Sequence, residues 1–270
     1  MKNINWSELG FGYFKTDYNV RCEYKDGKWG ELYATEDVNM NIHMASTCLH
    51  YGQEVFEGLK AFRGADGKVR LFRVEENAKR MINSGEYLKM AVPSVELFTK
   101  ACIEAVKLNA DYIPPYGSGA SLYLRPMLIG VGPQVGVKPS ADYLFAVFVT
   151  PVGPYYKDGF NCIKVIIDYD HDRAAPKGTG HVKVGGNYAA SLDSGEIAHQ
   201  KGFASVIFLD PATEQYIDEC SAANFFGIRD GKYITPDSHS VLPSITNKSL
   251  RQIAEDLGLK VEQRKVGVEE

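Results

Sequence analysis

The sequence predicts a mixed α/β protein of two domains, and three observations predict it. Asp-Gly pairs at Asp26-Gly27, Asp66-Gly67 and Asp230-Gly231 each sit between β-rich runs. Such pairs suit tight hairpins, because both central residues tolerate positive φ. Other stretches carry apolar residues at i, i+3 and i+4, the period of a helix. Finally, Pro151-Val-Gly-Pro154-Tyr155-Tyr156-Lys-Asp-Gly159 breaks regular structure in mid-chain. It divides the chain into a small N-terminal domain, 1–150, a linker, 151–160, and a larger domain, 161–270.

Taken in order, hairpins are expected over 20–34 and 59–73, the second ending in the β-run Val69-Arg-Leu-Phe-Arg73. A helix follows with Ala78, Met81 and Ile82 on one side and Leu88 roughly continuing it. The next helix starts near Ser94 and aligns Val95, Phe98, Cys102 and Ala105. A loop at 114–119 leads into strands over 120–131, around Arg125-Pro126, and 143–150. Beyond the linker, 162–169 reads as a buried strand, 187–200 as a helix stopped by Gly202, and 205–209 as a short strand. A third hairpin spans 225–235. Leu250, Ile253, Ala254 and Leu257 give the firmest helical spacing, with Gly258 where a left-handed cap belongs. That helix begins near Ser244–Thr246. Its free N–H groups and dipole make an anion site, although Thr246 reads equally as a plain N-cap. The hairpins do not recur at a fixed short period, so this is no repeat protein.

Composition narrows the function. The 270 residues are 44% apolar, 24% charged and 11% aromatic, with a net charge of -4. These are the proportions of a soluble globular protein. Scattered basic residues give no footprint for nucleic acid. No 18-residue apolar stretch exists to span a membrane. The start, Met1-Lys-Asn-Ile-Asn-Trp-Ser-Glu8, has no apolar signal core, which points to the cytoplasm. The five cysteines are odd in number and widely spaced, with no Cys-x-x-Cys, against both disulfides and zinc.

The chemistry centres on Gly178-Thr-Gly-His-Val-Lys183-Val-Gly-Gly186-Asn187-Tyr188. A lysine becomes a nucleophile when desolvated or placed near other cations. Glycines around it let the backbone approach a bulky planar group, as a lysine holding an aldehyde cofactor requires. Alone, the run equally describes a Gly-rich surface turn. It lacks the Gly-x-x-x-x-Gly-Lys-Ser/Thr order of a nucleotide loop. Were pyridoxal phosphate held at Lys183, three further groups would be needed. Thr246 with its helix, or Arg73, could take the phosphate. Asp218 or Glu219 could face the ring nitrogen, and Tyr188 the phenolic oxygen.

Six runs carry a family resemblance. They are Leu49-His-Tyr-Gly-Gln-Glu-Val-Phe-Glu-Gly-Leu-Lys-Ala-Phe62, Val69-Arg-Leu-Phe-Arg73, Leu122-Tyr-Leu-Arg-Pro-Met-Leu-Ile-Gly130, Lys183-Val-Gly-Gly-Asn-Tyr188, Tyr216-Ile-Asp-Glu219 with Asn224, and Leu242-Pro-Ser-Ile-Thr246. In that order they resemble the branched-chain amino-acid aminotransferases, pyridoxal-phosphate enzymes of fold type IV. The resemblance implies a small α/β domain and a larger mixed-sheet or pseudobarrel domain. It implies that Lys183 is the Schiff-base lysine and proton shuttle, and that Glu219 pairs with the pyridine nitrogen. Arg73 and the Ile245–Thr246 backbone match the phosphate contacts, Tyr188 the phenolate contact, and Asn224 belongs to the cofactor set. Tyr51, Phe56, Tyr123, Arg125 and Tyr155 match the substrate pocket. Apolar walls would take Leu, Ile and Val, while Arg125 with Tyr123 would meet the side-chain carboxylate of glutamate. The implied reaction moves the amino group of a branched-chain amino acid to 2-oxoglutarate in ping-pong fashion, in branched-chain amino-acid biosynthesis. The implied assembly is a homodimer.

Family members run on past Glu270 into another strand and a Gly-Thr-Ala type turn. The expectation is therefore a fragment or truncated product lacking the last elements of its larger domain. Alternatives are a D-amino-acid aminotransferase, an aminodeoxychorismate lyase, or a non-catalytic fragment that binds pyridoxal phosphate. The runs Tyr51-Gly-Gln-Glu-Val-Phe-Glu-Gly58 and Leu124-Arg-Pro126 argue against the first two.

Overall fold

In the computed structural model, which describes residues 2–155 and 161–270, Asp26 and Gly27 take φ of 51° and 77°. They join β1 (Asn19–Lys25) to β2 (Lys28–Trp29) in a tight antiparallel hairpin. β3 (Tyr33–Thr35) then pairs back onto β1. A short helix, α1 (Thr47–Tyr51), leads into β4 (Glu54–Phe56) and β5 (Leu59–Arg63). The second Asp-Gly pair departs from the expected turn. Of the two, Gly67 alone has positive φ, at 74°. The Asp66 carboxylate instead accepts from Lys68 N at 3.2 Å and grips the Arg70 guanidinium at 2.7 Å, which makes a wider connection. β6 (Val69–Leu71) ends before Arg73, so Arg73 is not the end of a strand. It is the residue that starts helix α2 (Val74–Tyr87).

Ser94 caps α3 (Val95–Leu108), its side chain accepting from Leu97 N at 3.2 Å. Then come the long strands β7 (Ser121–Gly130) and β8 (Tyr143–Val152). They build an antiparallel sheet in the order β2-β1-β8-β7-β5-β6, with β4 also paired to β7. α2 and α3 pack together, and α3 lies on β8, β1 and β7. Ala78, Met81, Phe98, Ala101 and Cys102 are buried with Leu122, Leu124, Leu128, Phe145 and Val147. Phe98 stacks on Phe145 at 5.8 Å. Each such fully buried Phe or Leu stabilises the fold by about 1.5–3 kcal/mol. Along β7 the alternation is clean: Leu122, Leu124, Pro126 and Leu128 are buried, while Tyr123, Arg125 and Met127 are half-buried. A strand points successive side chains to opposite faces, so these three share the face away from the helices.

The segment 151–160 opens as the last residues of β8, and 156–160 lie outside the described residues. Gly153 is required where it stands, because a Cβ there would lie 1.8 Å from Leu9 O. The chain divides into two compact units, Met1–Asn161 and Cys162–Glu270.

The second unit holds β9 (Val165–Asp168), helices α4 (Gly185–Ala190) and α5 (Leu192–Gln200), and strands β10 (Ser205–Leu209) and β11 (Ile217–Cys220). β10 runs parallel to β9 and antiparallel to β11. The single helix expected over 187–200 is two. Ser191, with ψ at 0°, bonds its hydroxyl back to Tyr188 O at 2.9 Å and breaks it. The third Asp-Gly pair, with φ of 49° and 72°, turns β12 (Gly227–Arg229) into β13 (Lys232–Pro236). Helix α6 (Ile245–Asp256) then brings β14 (Lys260–Arg264) parallel to β13. Gly258 takes φ of 82°, as its cap position needs. The apolar face of α6 is less buried than its spacing suggests. Ala254 is buried, but Ile253 is 50% and Leu257 74% exposed. Ile207, Leu209, Ile217, Ile234 and Val266 form one cluster of this unit's core.

Candidate active site

The loop before α4 places Lys183 beside Tyr188. Extended Val184 and the first three residues of α4 separate the two, and the amine donates to the tyrosine hydroxyl. The amine also lies 4.8 Å from the centre of the ring. Asn187, one residue earlier and buried, clamps the loop from beneath. Its amide donates to Thr179 O at 2.8 Å and Val182 O at 3.0 Å, and its carbonyl accepts from Thr179 Oγ1 at 2.6 Å. The glycines play unequal parts. Gly180 lies against another loop: a Cβ there would sit 2.3 Å from Ser240 O and 2.7 Å from Ser240 Cα. Gly186 faces open space.

The acid stands on β11. Asp218 and Glu219 are both buried, at 3% and 4% exposure, but alternation turns them apart. Asp218 lines a cavity of about 230 Å³ with Asp210, Asp237 and His239, and its Oδ1 has no hydrogen-bond partner. Burial pushes its carboxyl above the ordinary range. Glu219 is fully engaged. Arg173 Nη2 lies 2.7 Å from Oε1, Leu242 N donates to Oε1 at 3.2 Å, and Asn224 Nδ2 donates to Oε2 at 2.8 Å. Burial pushes the Glu219 carboxyl up to about 6, against the pull of Arg173, Leu242 N–H and Asn224.

Arg173 was not singled out from the sequence. It is itself buried, and it donates to Gly180 O at 2.9 Å and to Ser240 O. One side chain thus ties the lysine loop, the loop before α6 and the acid. The chain of contacts continues from Asn224 Oδ1 to Asn247 Nδ2 at 3.1 Å, and from Asn247 to Thr235 Oγ1 at 2.8 Å and Tyr233 OH at 2.9 Å. The run Asp172-Arg173-Ala-Ala-Pro176 has no spacing or periodicity that marks it, and Asn247 lay unremarked beside Thr246.

Ser244, not Thr246, is the N-cap of α6, with its Oγ accepting from Asn247 N at 3.1 Å. Ile245 and Thr246 fall in the first turn, where backbone N–H groups have no intrahelical acceptor. Such a turn offers N–H groups that an anion can accept from. Arg73, in the first unit, takes φ of 51° and ψ of 42°. A left-handed non-glycine residue costs about 1–2 kcal/mol, and such strain concentrates where a side chain has a task.

The residues expected at the substrate pocket belong to the first unit. Phe56 pairs with Met127 across β4 and β7, which sets its ring against the neighbouring Arg125, 4.8 Å from ring centre to guanidinium carbon. Arg125 also lies 5.4 Å from the Tyr123 ring and donates from Nε to Tyr123 OH at 3.2 Å. Phe11, absent from the sequence expectations, packs edge-on to both Tyr123 and Tyr155, each at 5.3 Å. Lys60, opposite Tyr123 on β5, comes within 6.0 Å of the Phe11 ring, and burial lowers its pKa. Tyr51 does not join this group. Its hydroxyl donates to Val135 O and its ring neighbours His50.

A lysine beside a phenol, a buried carboxylate clamped by arginine, and a helix first turn are the parts of an amino-group transfer site. A family model described as amino-transferase class IV matches residues 54–270. The chain is similar to the branched-chain-amino-acid aminotransferase of Haemophilus influenzae, 53% identical over 267 residues, covering 96% of this chain and 78% of that protein. The Helicobacter pylori protein of the same name is 51% identical over 273 residues, covering 100% and 80%. Among solved structures, the Escherichia coli branched-chain amino acid aminotransferase superposes with a TM-score of 0.77 at 28% identity, over 94% of this chain and 79% of that one. The T.th. branched-chain amino acid aminotransferase, complexed with N-(5'-phosphopyridoxyl)-L-glutamate, gives 0.74 at 28% identity, over 95% and 79%. The chain belongs to the class IV aminotransferases and, within them, to the branched-chain-amino-acid aminotransferase family. Its fold is therefore fold type IV, and no described helix is long and apolar enough to cross a membrane.

Proposed function

We propose that the chain transfers the amino group of L-leucine, L-isoleucine or L-valine to 2-oxoglutarate, with pyridoxal phosphate held on Lys183. The observation that carries this reading is Arg173, which joins a buried carboxylate to the loop bearing Lys183. The donor set fits the cofactor. Lys183 would hold its aldehyde carbon, Tyr188 its phenolic oxygen, and Glu219, backed by Asn224, its ring nitrogen. The Ile245 and Thr246 N–H groups and Arg73 would hold its phosphate. The T.th. relative, solved with a phosphopyridoxyl-glutamate, supports the assignment.

Pyridoxal phosphate supplies an electron sink for the charge that forms at the substrate α-carbon. The protein's own residues do the rest. Tyr188 holds the Lys183 amine in place by accepting its hydrogen bond. That amine takes the α-proton and returns it. Glu219 must be ionised to stabilise a protonated ring nitrogen, and Arg173 keeps it so where burial alone would neutralise it. On the substrate side Phe56 and Tyr155 provide apolar walls for branched side chains; Tyr51, bonded to Val135 O, stands apart from them within this chain. Arg125, with Tyr123 on its Nε–H, meets the carboxylate of the acidic partner. We place these roles in a cytoplasmic homodimer, with a small domain, 1–150, and a cofactor-binding domain, 161–270, about the linker 151–160.

Borohydride reduction of the cofactor-loaded protein, followed by peptide mapping and an L-leucine/2-oxoglutarate assay, tests the reading. The pyridoxyl group is expected on Lys183. Lys183→Ala should lose the adduct, the visible absorbance and at least roughly 10⁴-fold in turnover. An adduct elsewhere, or a coloured and active Lys183→Ala protein, would overturn it.

A further inference from the structure

Three consecutive residues, Phe56, Glu57 and Gly58, link the interior of the first unit to its substrate-side face. Glu57 is fully buried, at 0% exposure. Its carboxylate takes Arg80 Nε at 2.7 Å on one oxygen, and Arg80 Nη2 at 2.8 Å and Asn77 Nδ2 at 2.7 Å on the other. Both donors stand on α2. Asn77 also reaches Gly58 O at 3.2 Å, and Glu57 N donates to Pro126 O at 2.8 Å. The 56–58 backbone is thus pinned between helix α2 and strand β7.

What that backbone carries is specific. Phe56 stacks on the Arg125 guanidinium. Gly58 lies under the Tyr123 hydroxyl so closely that a Cβ would fall 2.2 Å from its oxygen and 3.0 Å from its ring carbon. Tyr123 OH in turn accepts from Arg125 Nε. A fully buried ion pair is weak support for stability in general, since desolvation offsets attraction. Its geometric precision is the stronger reason to keep one.

We propose that the Glu57–Arg80 pair is a positioning device that fixes Tyr123 and Arg125, and thereby sets how well the site accepts a dicarboxylic 2-oxo acid relative to a branched one. The inference rests on the reading of Arg125 as the carboxylate partner. Glu57 and Arg80 touch no substrate in it. They act by holding Phe56 and Gly58.

The test compares Glu57→Gln and Gly58→Ala with the unaltered protein and with Arg125→Gln. Three quantities are read: KM for 2-oxoglutarate, KM for 4-methyl-2-oxopentanoate, and calorimetric binding of glutarate, a dicarboxylate that cannot react. Glu57→Gln keeps the shape and removes the charge. Gly58→Ala leaves the buried pair intact and displaces Tyr123, so it tests the link from Gly58 to Tyr123 alone and can overturn the inference even if Glu57→Gln does not fold. Both should raise KM for 2-oxoglutarate and weaken glutarate at least tenfold, with KM for the branched acid changing less than threefold. A folded variant that moves both KM values together, or neither, overturns the positioning role. If Arg125→Gln also leaves the ratio unchanged, the reading of Arg125 itself has failed. If Arg125→Gln collapses the ratio and the other two do not, only this inference has failed.

Discussion

The two units place their polar side chains by different means. In the first, strand alternation sets the face on which Tyr123 and Arg125 stand, and the groups in contact with them there are mostly rings: Phe56, Phe11 and, through Phe11, Tyr155. In the second, Lys183 and Glu219 are held by a relay of polar groups from separate loops, through Arg173, Asn224 and Asn247. A face built from a repeating strand tolerates a changed side chain, since the backbone ladder does not depend on it. A relay does not, because each buried polar atom satisfies another. The difference predicts where substitutions alter selectivity and where they alter stability.

The largest effect is expected at the centre of the relay. Arg173→Met would leave Glu219 buried without its cation and strip a donor from Gly180 O and Ser240 O. Breaking one partner of a buried pair costs about 3–5 kcal/mol. Denaturant unfolding should show that loss at pH 7.5 and a smaller one at pH 5, where Glu219 is protonated and no charge is stranded. An equal loss at both pH values would mean that the relay is held by shape and not by charge.

On the strand face the cost should fall on binding. Arg125→Gln keeps a polar side chain at the site and removes the cation. The proposed function then predicts a loss of about 2–3 kcal/mol, roughly 100-fold, in kcat/KM for 2-oxoglutarate. Unfolding stability should change by less than about 0.5 kcal/mol, as for a substitution away from the core. A large stability loss would erase the contrast between the two units.

Glu219 gives a third, pH-dependent measure. Its folded carboxyl titrates near 6, above the ordinary value of 4.5. Below 4.5 both folded and unfolded carboxyls are protonated, and the group costs nothing. As pH rises through 6 the unfolded chain ionises first, and burying the charge costs about 2 kcal/mol. Stability of the cofactor-free protein should therefore fall from pH 4.5 to 7 by that amount from this residue. Glu219→Gln should flatten this part of the profile. An unchanged slope would move the titration to another group.

How much of this was legible in the sequence follows the same division. Where one local rule fixes the geometry, residues sufficed. Asp26-Gly27 and Asp230-Gly231 turned as their chemistry requires, Gly258 capped its helix, and the β7 run was recognisable as a strand. Asp66-Gly67 failed that rule because its carboxylate found Lys68 N and Arg70 instead. Lys183, Tyr188 and Glu219 stood out through ordered family motifs, since periodicity says nothing about loops that meet across tens of residues. Arg173 and Phe11 escaped both routes. Their partners are Glu219 and Tyr123, 46 and 112 positions away by residue number, and only the folded chain supplies them.

The smallest effect discriminates most finely, because it sits at the end of the relay. Ser244 caps α6 through the N–H of Asn247, and the Asn247 side chain continues to Asn224 and so to Glu219. Ser244→Ala removes the cap and should cost about 1 kcal/mol. If Tyr233 and Thr235 suffice to hold the Asn247 side chain, the loss stays in the helix end, and cofactor affinity at the first turn changes less than about threefold. If the cap is what fixes Asn247, the first turn loosens and Asn224 loses its partner. Cofactor affinity should then fall by more than the stability loss accounts for. Unfolding and cofactor titration on the same variant separate the two cases. The second outcome would extend the relay from the lysine loop to the proposed phosphate end of the site.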